Sequence, residues 1–239
     1  MKLNIQDISQ HIANHKALNN DFYDLWCERK LTLPELQIFA RNYGAWVKSF
    51  PDALAILFRA APDVEAKNEY VKTLYSEMGY GNSEKIHWKL LDYFFSELAI
   101  KLGAGEKLGR EYLEKNIEIL APTKELIAKE QELYGSNQYT VAVGAQMALE
   151  WQAYTMLRKL YDGARNYIDL WDDPDKFHEA CEYFYVHIGS AEKDHKIESL
   201  KGAEQYATSP ENTKEILLGL DTHLDLIANF WTGISKEIA

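Results

Sequence analysis

The stretch YTVAVGAQMALEWQAYTMLRKLY, residues 139–161, is apolar on nearly every side. A helix with one wet face carries a polar stripe, so a segment this uniformly apolar reads as a central helix covered by others. Its start, 139–143, alternates briefly like a strand, but it leads straight into helical spacing and is read as the helix start. Around this centre the chain keeps helical period. Residues 20–28 place Phe22, Leu25 and Trp26 on one face. Thr32 and Pro34 open a second helix, with Leu36, Phe39, Tyr43, Trp46 and Phe50 along its stripe. Pro51 is expected to kink or restart it before Leu54 and Leu57.

Further helices are expected over 63–78, from an Asp cap to a glycine stop, and from a Ser83 cap to Gly103. Others follow at 109–120, 122–134, 175–207 and 209–238. The residues alone predict an all-α bundle of about seven to nine helices. With 239 residues, 46% hydrophobic, and prolines and glycines that form no linker, residues 1–239 are expected to make a single helical domain.

A net charge of −11 argues against a nucleic-acid partner, which needs clustered Lys and Arg. No stretch approaches the roughly 18 uninterrupted apolar residues of a membrane helix, and the N-terminus carries no signal or transit pattern. Two cysteines, Cys27 and Cys181, make no disulfide framework, so a cytoplasmic location is expected. Both are read as buried packing thiols rather than nucleophiles.

Three places carry polar residues that core packing does not call for. Glu150 lies inside the apolar central helix, where an unpaired carboxylate would cost several kcal/mol. It is therefore exposed on a wet stripe with Gln146 and Arg158, paired, or bound to a cation. In CEYFYVHIGSAEKDHKIESL, residues 181–200, His187 follows an apolar run, and Glu192, Asp194 and His195 come within two turns. At about 100° per residue, His187 and Asp194 point roughly 20° apart, while Glu192 and His195 are i, i+3 neighbours. In SEMGYGNSEKIHWKLL, residues 76–91, Glu77 ends one helix and His87 begins the next across a glycine turn. Glu84 precedes His87 in the E-x-x-H spacing seen again at Glu192–His195, but an acid in a first helical turn also suits the helix dipole. Glu77 is thus preferred to Glu84. Imidazoles and carboxylates without thiolate suit iron or manganese better than structural zinc, in one or two metal sites.

These motifs together resemble the haem-oxygenase-like di-iron oxidases and oxygenases, relatives of the chlamydial protein associated with death domains. The resemblance runs from about Phe22 to about Leu200. It rests on FYDLWCERKLTLPELQIFARNYGAWVKSFPDALA, residues 22–55, on EMGYGNSEKIHWKLL, residues 77–91, on Glu150, and on FYVHIGSAEKDH, residues 184–195. It implies a seven-helix haem-oxygenase-like bundle in which Glu77, His87, Glu150 and His187 supply one iron. A carboxylate would bridge to a second, held by His195 and an acid near it.

One departure concerns that second site. The family spaces its last ligands H-x3-D-x2-H, whereas Ala191 is fourth after His187 and His195 comes eight residues on. A π-bulge near Gly189 and Ser190 would bring Glu192 into register; a regular helix would bring Asp194. The resemblance further implies two Fe(II) per chain and O₂ as co-substrate. The substrate would be a small, amino-acid-derived and aromatic metabolite in a biosynthetic pathway, and a homodimer is compatible with it. The named family reactions are C–C or C–N cleavage, N-oxygenation, and alkene or nitrile formation. Two readings compete: a metal-free, thiaminase-like hydrolase using cysteine, and a non-catalytic helical interaction protein.

Overall fold

Residues 3–188 and 190–238 are described by a computed structural model, with their side chains except those of 190–195. Among them there is no strand. The α-helices are α1 Ile5–Asn14, α2 Asp21–Glu28, α3 Leu33–Ala60, α4 Val64–Glu77, α5 His87–Lys101, α6 Arg110–Asn116, α7 Ala121–Tyr134, α8 Tyr139–Ala164, α9 Pro174–Ala180, α10 Glu182–Ile188, α11 Ser190–Tyr206 and α12 Pro210–Ile238. Short 3₁₀ turns occupy Gly79–Gly81 and Arg165–Leu170.

Among the described residues twelve α-helical segments stand where the resemblance implies seven and the residues alone about seven to nine. Part of the excess is subdivision: 175–207, read as one helix, is interrupted at Cys181, which lies outside the helix on either side. Another part is α1, a short amphipathic helix that precedes the first one expected and buries Ile8 and Ile12. The helix expected from Ser83 starts later, at His87. Here Asn82 competes for the backbone: its Oδ1 accepts the Glu84 N–H at 3.0 Å and its carbonyl accepts the Lys85 N–H at 2.9 Å. By contrast, α3 runs on through Pro51 without restarting. A single lost backbone hydrogen bond is outweighed by a buried face that continues through Ala53, Leu54 and Leu57.

Helix α8 is buried continuously from Val141 to Gln152, as its composition demands. It meets α12 closely because Gly144 and Gly219 face each other's helices. A Cβ on Gly144 would sit 1.9 Å from the Ile216 carbonyl oxygen, and one on Gly219 would sit 2.0 Å from that of Val141. Beside this contact, Phe22, Phe39, Tyr43 and Trp231 interlock as stacked and tilted rings, and the Trp26 indole donates to the Leu160 carbonyl at 2.7 Å. Burying each such ring stabilises the bundle by about 1.5–3 kcal/mol. Among the described residues no helix is long and apolar enough to cross a membrane.

Candidate metal centre

Glu77 closes α4, and the chain then reverses through three successive left-handed residues: Gly79, Tyr80 and Gly81, with φ of 71°, 54° and 85°. Gly79 is required twice over, by its φ and because a Cβ there would stand 2.5 Å from the Lys85 carbonyl carbon. This fold-back returns the chain to Glu77 as α5 begins, so His87 stands beside it. Helix α10 brings His187 from the other side. It is held against α5 by the Phe94–Phe184 ring contact, and its start is tied to the turn by Lys85 and Glu182 at 2.6 Å.

Glu77, His87 and His187 are all buried, and each offers one ligand atom within 4.8 Å of the others. His87 Nδ1 lies 3.0 Å from Glu77 Oε1, and His187 Nε2 lies 3.7 Å from the same oxygen. The His187 Nδ1 is 2.7 Å from the Tyr183 carbonyl. A carbonyl only accepts, so Nδ1 carries a proton and Nε2 is left as the nitrogen that faces Glu77. His87 Nδ1 is buried without a hydrogen bond, despite its short distance to Glu77. Burial alone would push the Glu77 carboxyl up, but the two imidazoles overcome it and hold the group down at about 2. The cluster is thus an anionic oxygen and two imidazoles around one point.

The cavity beside it, of about 70 Å³, is lined by Tyr43, Trp46 and Phe50 of α3, Thr73 and Ser76 of α4, and Tyr183 of α10. Glu150 lines the same cavity from α8 but stands outside the three-residue cluster. It is buried, and Gln146 Nε2 donates to its Oε1 at 2.6 Å. Glu84 does not reach the cavity: it is exposed and faces Lys89 at 3.5 Å. The side chains of Glu192, Asp194 and His195 lie outside the described residues, as does Gly189.

Trp26, Phe94 and Phe184 are buried in the core, and Tyr154 does not line the cavity. Neither cysteine lines it. Cys27 is exposed rather than buried, and burial pushes the Cys181 thiol up to about 12, far from a thiolate nucleophile.

An unbonded buried imidazole nitrogen, a second imidazole whose tautomer frees the facing nitrogen, and a shared carboxylate fit a metal ion. Such oxygen and nitrogen donors suit iron or manganese, as they also suit a catalytic zinc. Sequence reading missed a buried relay behind the cavity. The Trp46 indole donates to Glu130 at 3.3 Å, and His223 Nε2 stands 3.0 Å from the same carboxylate, with its Nδ1 at 2.8 Å from the Ala145 carbonyl. The signal available was a lone His on the apolar face of α12, which by itself names no partner.

Residues 37–228 match the family described as iron-containing redox enzymes. The 4-aminobenzoate synthase of Chlamydia pneumoniae is 26% identical, the alignment covering 95% of this chain and 92% of that one. The enzyme of the same name from Nitrosomonas europaea is 25% identical, with coverage of 97% and 91%. Among solved structures, a CADD-like protein from Nostoc punctiforme superposes with a TM-score of 0.72 at 17% identity, covering 98% of this chain and 96% of that one. A protein with a haem-oxygenase-like fold from Shewanella denitrificans gives 0.74 at 14% identity, with coverage of 98% and 93%. The likeness to these structures shows that this chain has the haem-oxygenase-like fold.

Proposed function

The chain belongs to the iron-containing redox enzymes and is an iron-dependent oxidoreductase, and from that premise we propose that Glu77, His87 and His187 hold Fe(II) for oxidation of a small molecule by O₂. The observation that carries this reading is the convergence of three buried ligand atoms on one point, with the His187 tautomer set by the Tyr183 carbonyl. Glu150, which lines the same cavity, is proposed as a further ligand to that iron, and a second iron is proposed on His195 with one of Glu192 and Asp194. Bound iron supplies the electrons and the open coordination positions that O₂ reduction needs.

The chain's own residues provide the setting. Tyr183 anchors His187 through its backbone and lines the cavity with its ring; its hydroxyl lies 2.7 Å from that of Tyr43. Burial pushes the Tyr43 hydroxyl up, so it stays protonated and holds the Tyr183 hydroxyl in place through their hydrogen bond. Trp46, Phe50 and Leu149 keep water from the cluster.

The substrate is proposed to be amino-acid-derived and aromatic, consumed in a biosynthetic step. Two relatives aligned over nearly the whole chain are named for 4-aminobenzoate synthesis, which makes formation of that product the first activity to assay. The test is anaerobic titration with Fe(II), then O₂, with oxygen consumption followed and products read by mass spectrometry. Uptake near two irons per chain, and oxygen consumption stopped by a ferrous chelator, is expected. No uptake at micromolar Fe(II) would sink the proposal.

A further inference from the structure

A second cavity of about 390 Å³ lies between α4, α8 and α11 and shares Thr73 and Glu150 with the metal cavity. Its two long walls have the same construction. On α8, Tyr139, Val143, Gln146 and Glu150 follow at i, i+4, i+7 and i+11, and on α4, Ala66, Tyr70 and Thr73 keep the same spacing up to Glu77. At 1.5 Å per residue each stripe is about 16 Å long. At one end Tyr70 and Tyr139 join hydroxyls at 2.7 Å, with Tyr206 of α11 edge-on to Tyr139. At the other end stand the carboxylates of Glu77 and Glu150. The cavity is therefore a passage leading to the metal cavity.

Its lining is rich in acceptors. Four carboxylates, those of Glu65, Glu69, Glu150 and Glu198, face two lysines, and Lys72 is already paired with Glu69 at 2.7 Å. Gln146 supplies an independent sign of a ligand. Its amide must turn Nε2 to Glu150, because a carboxylate accepts only. Its Oε1 is consequently left buried without a hydrogen-bond partner, on a residue 5% exposed. A buried acceptor in that state costs about 1–3 kcal/mol unless a donor reaches it.

We propose that this passage is the substrate vestibule, and that it selects a small aromatic molecule bearing a cationic amino group. The ammonium donates to Gln146 Oε1 beside Glu150, and the ring lies along the tyrosine wall, which presents π-faces and edges suited to it. Calling the ligand a substrate rests on the metal-centre reading above; its binding does not.

The test is calorimetric titration of the full-length protein, before and after Fe(II) loading, with phenethylamine, 2-phenylethanol and 3-phenylpropionate. Phenethylamine is expected to bind at least tenfold tighter than the alcohol, and the propionate most weakly. Gly202 lines the passage with open space where its Cβ would stand. Gly202→Trp should therefore abolish amine binding while Fe(II) uptake stays at the wild-type level. Gln146→Leu should cut the preference for amine over alcohol about tenfold. Equal binding of the three probes, or unchanged amine affinity in Gly202→Trp, would overturn the vestibule. Because the probes are titrated without iron too, a wild-type protein that takes up no Fe(II) but still prefers the amine would remove only the metal-centre reading.

Discussion

His187 faces Glu77 across 3.7 Å, and it can do so as a ligand only because its other ring nitrogen is held by the Tyr183 carbonyl one turn earlier on the same helix. Helix geometry sets that i−4 bond, so the free nitrogen is aimed before any metal arrives.

From this pairing, Glu77→Gln and His187→Ala are each expected to lower Fe(II) uptake by at least tenfold while the far-UV circular dichroism stays helical. Wild-type uptake in both variants would show that iron binds elsewhere.

Acid should weaken the start of α3. Arg29 grips Glu35 through two nitrogens at 2.9 and 2.8 Å, and Glu35 also accepts the Thr32 N–H at 2.6 Å. The Arg29 pair outweighs burial and holds the Glu35 carboxyl at about 2, against 4.5 ordinarily. A depressed carboxyl stabilises the fold fully above its ordinary value and loses that contribution as pH falls through the depressed one. Glu35→Gln should cost about 1 kcal/mol near neutrality, and the gap to wild type should close as pH approaches about 2. Urea unfolding across that range reads it; a gap independent of pH would rule out the carboxylate as the cause.

The α8–α12 contact predicts intolerance of the smallest possible enlargement. Gly144→Ala puts a methyl into the Ile216 carbonyl, and Gly219→Ala does the same at Val141. Each should destabilise by about 2 kcal/mol or more, since the obstacle is backbone and cannot rotate away. Gly202→Ala, with open space around it, is the control and should lie within about 0.5 kcal/mol of wild type, apart from the small gain alanine brings to a helix. Equal melting temperatures for all three would contradict the close approach.

Behind the cavity, His223 and Glu130 are both fully buried. Removing one partner leaves the other without compensation, so His223→Ala should cost about 3–5 kcal/mol. The double variant His223→Leu with Glu130→Leu should regain much of that loss. A single variant as stable as wild type would mean that the pair contributes little.

Much was legible in the sequence because helical period and caps are local. The uniformly apolar run around Glu150 announced a buried central helix, and α8 is that helix. Asp63 announced a helix start, and it caps α4 through its side chain. Glu77, His87 and His187 stood out because nothing in their own segments called for them. What remained illegible depends on distance across the fold. Glu84 sits three residues before His87 and stayed open as a weaker alternative to Glu77, but the left-handed turn at Gly79–Gly81 and the Asn82 hydrogen bonds carry it to solvent. The Glu130–His223 pair joins residues 93 positions apart, and neither segment reveals that the other will cover it. Sequence by itself determined the helical class, the central helix and which polar residues needed an explanation, because backbone hydrogen bonding and amphipathicity act over a few residues. Only the packed fold decides which of those residues share one point, which are buried, and that a second cavity lies along α8 beside Glu150. Burial and proximity exist only once distant helices have packed.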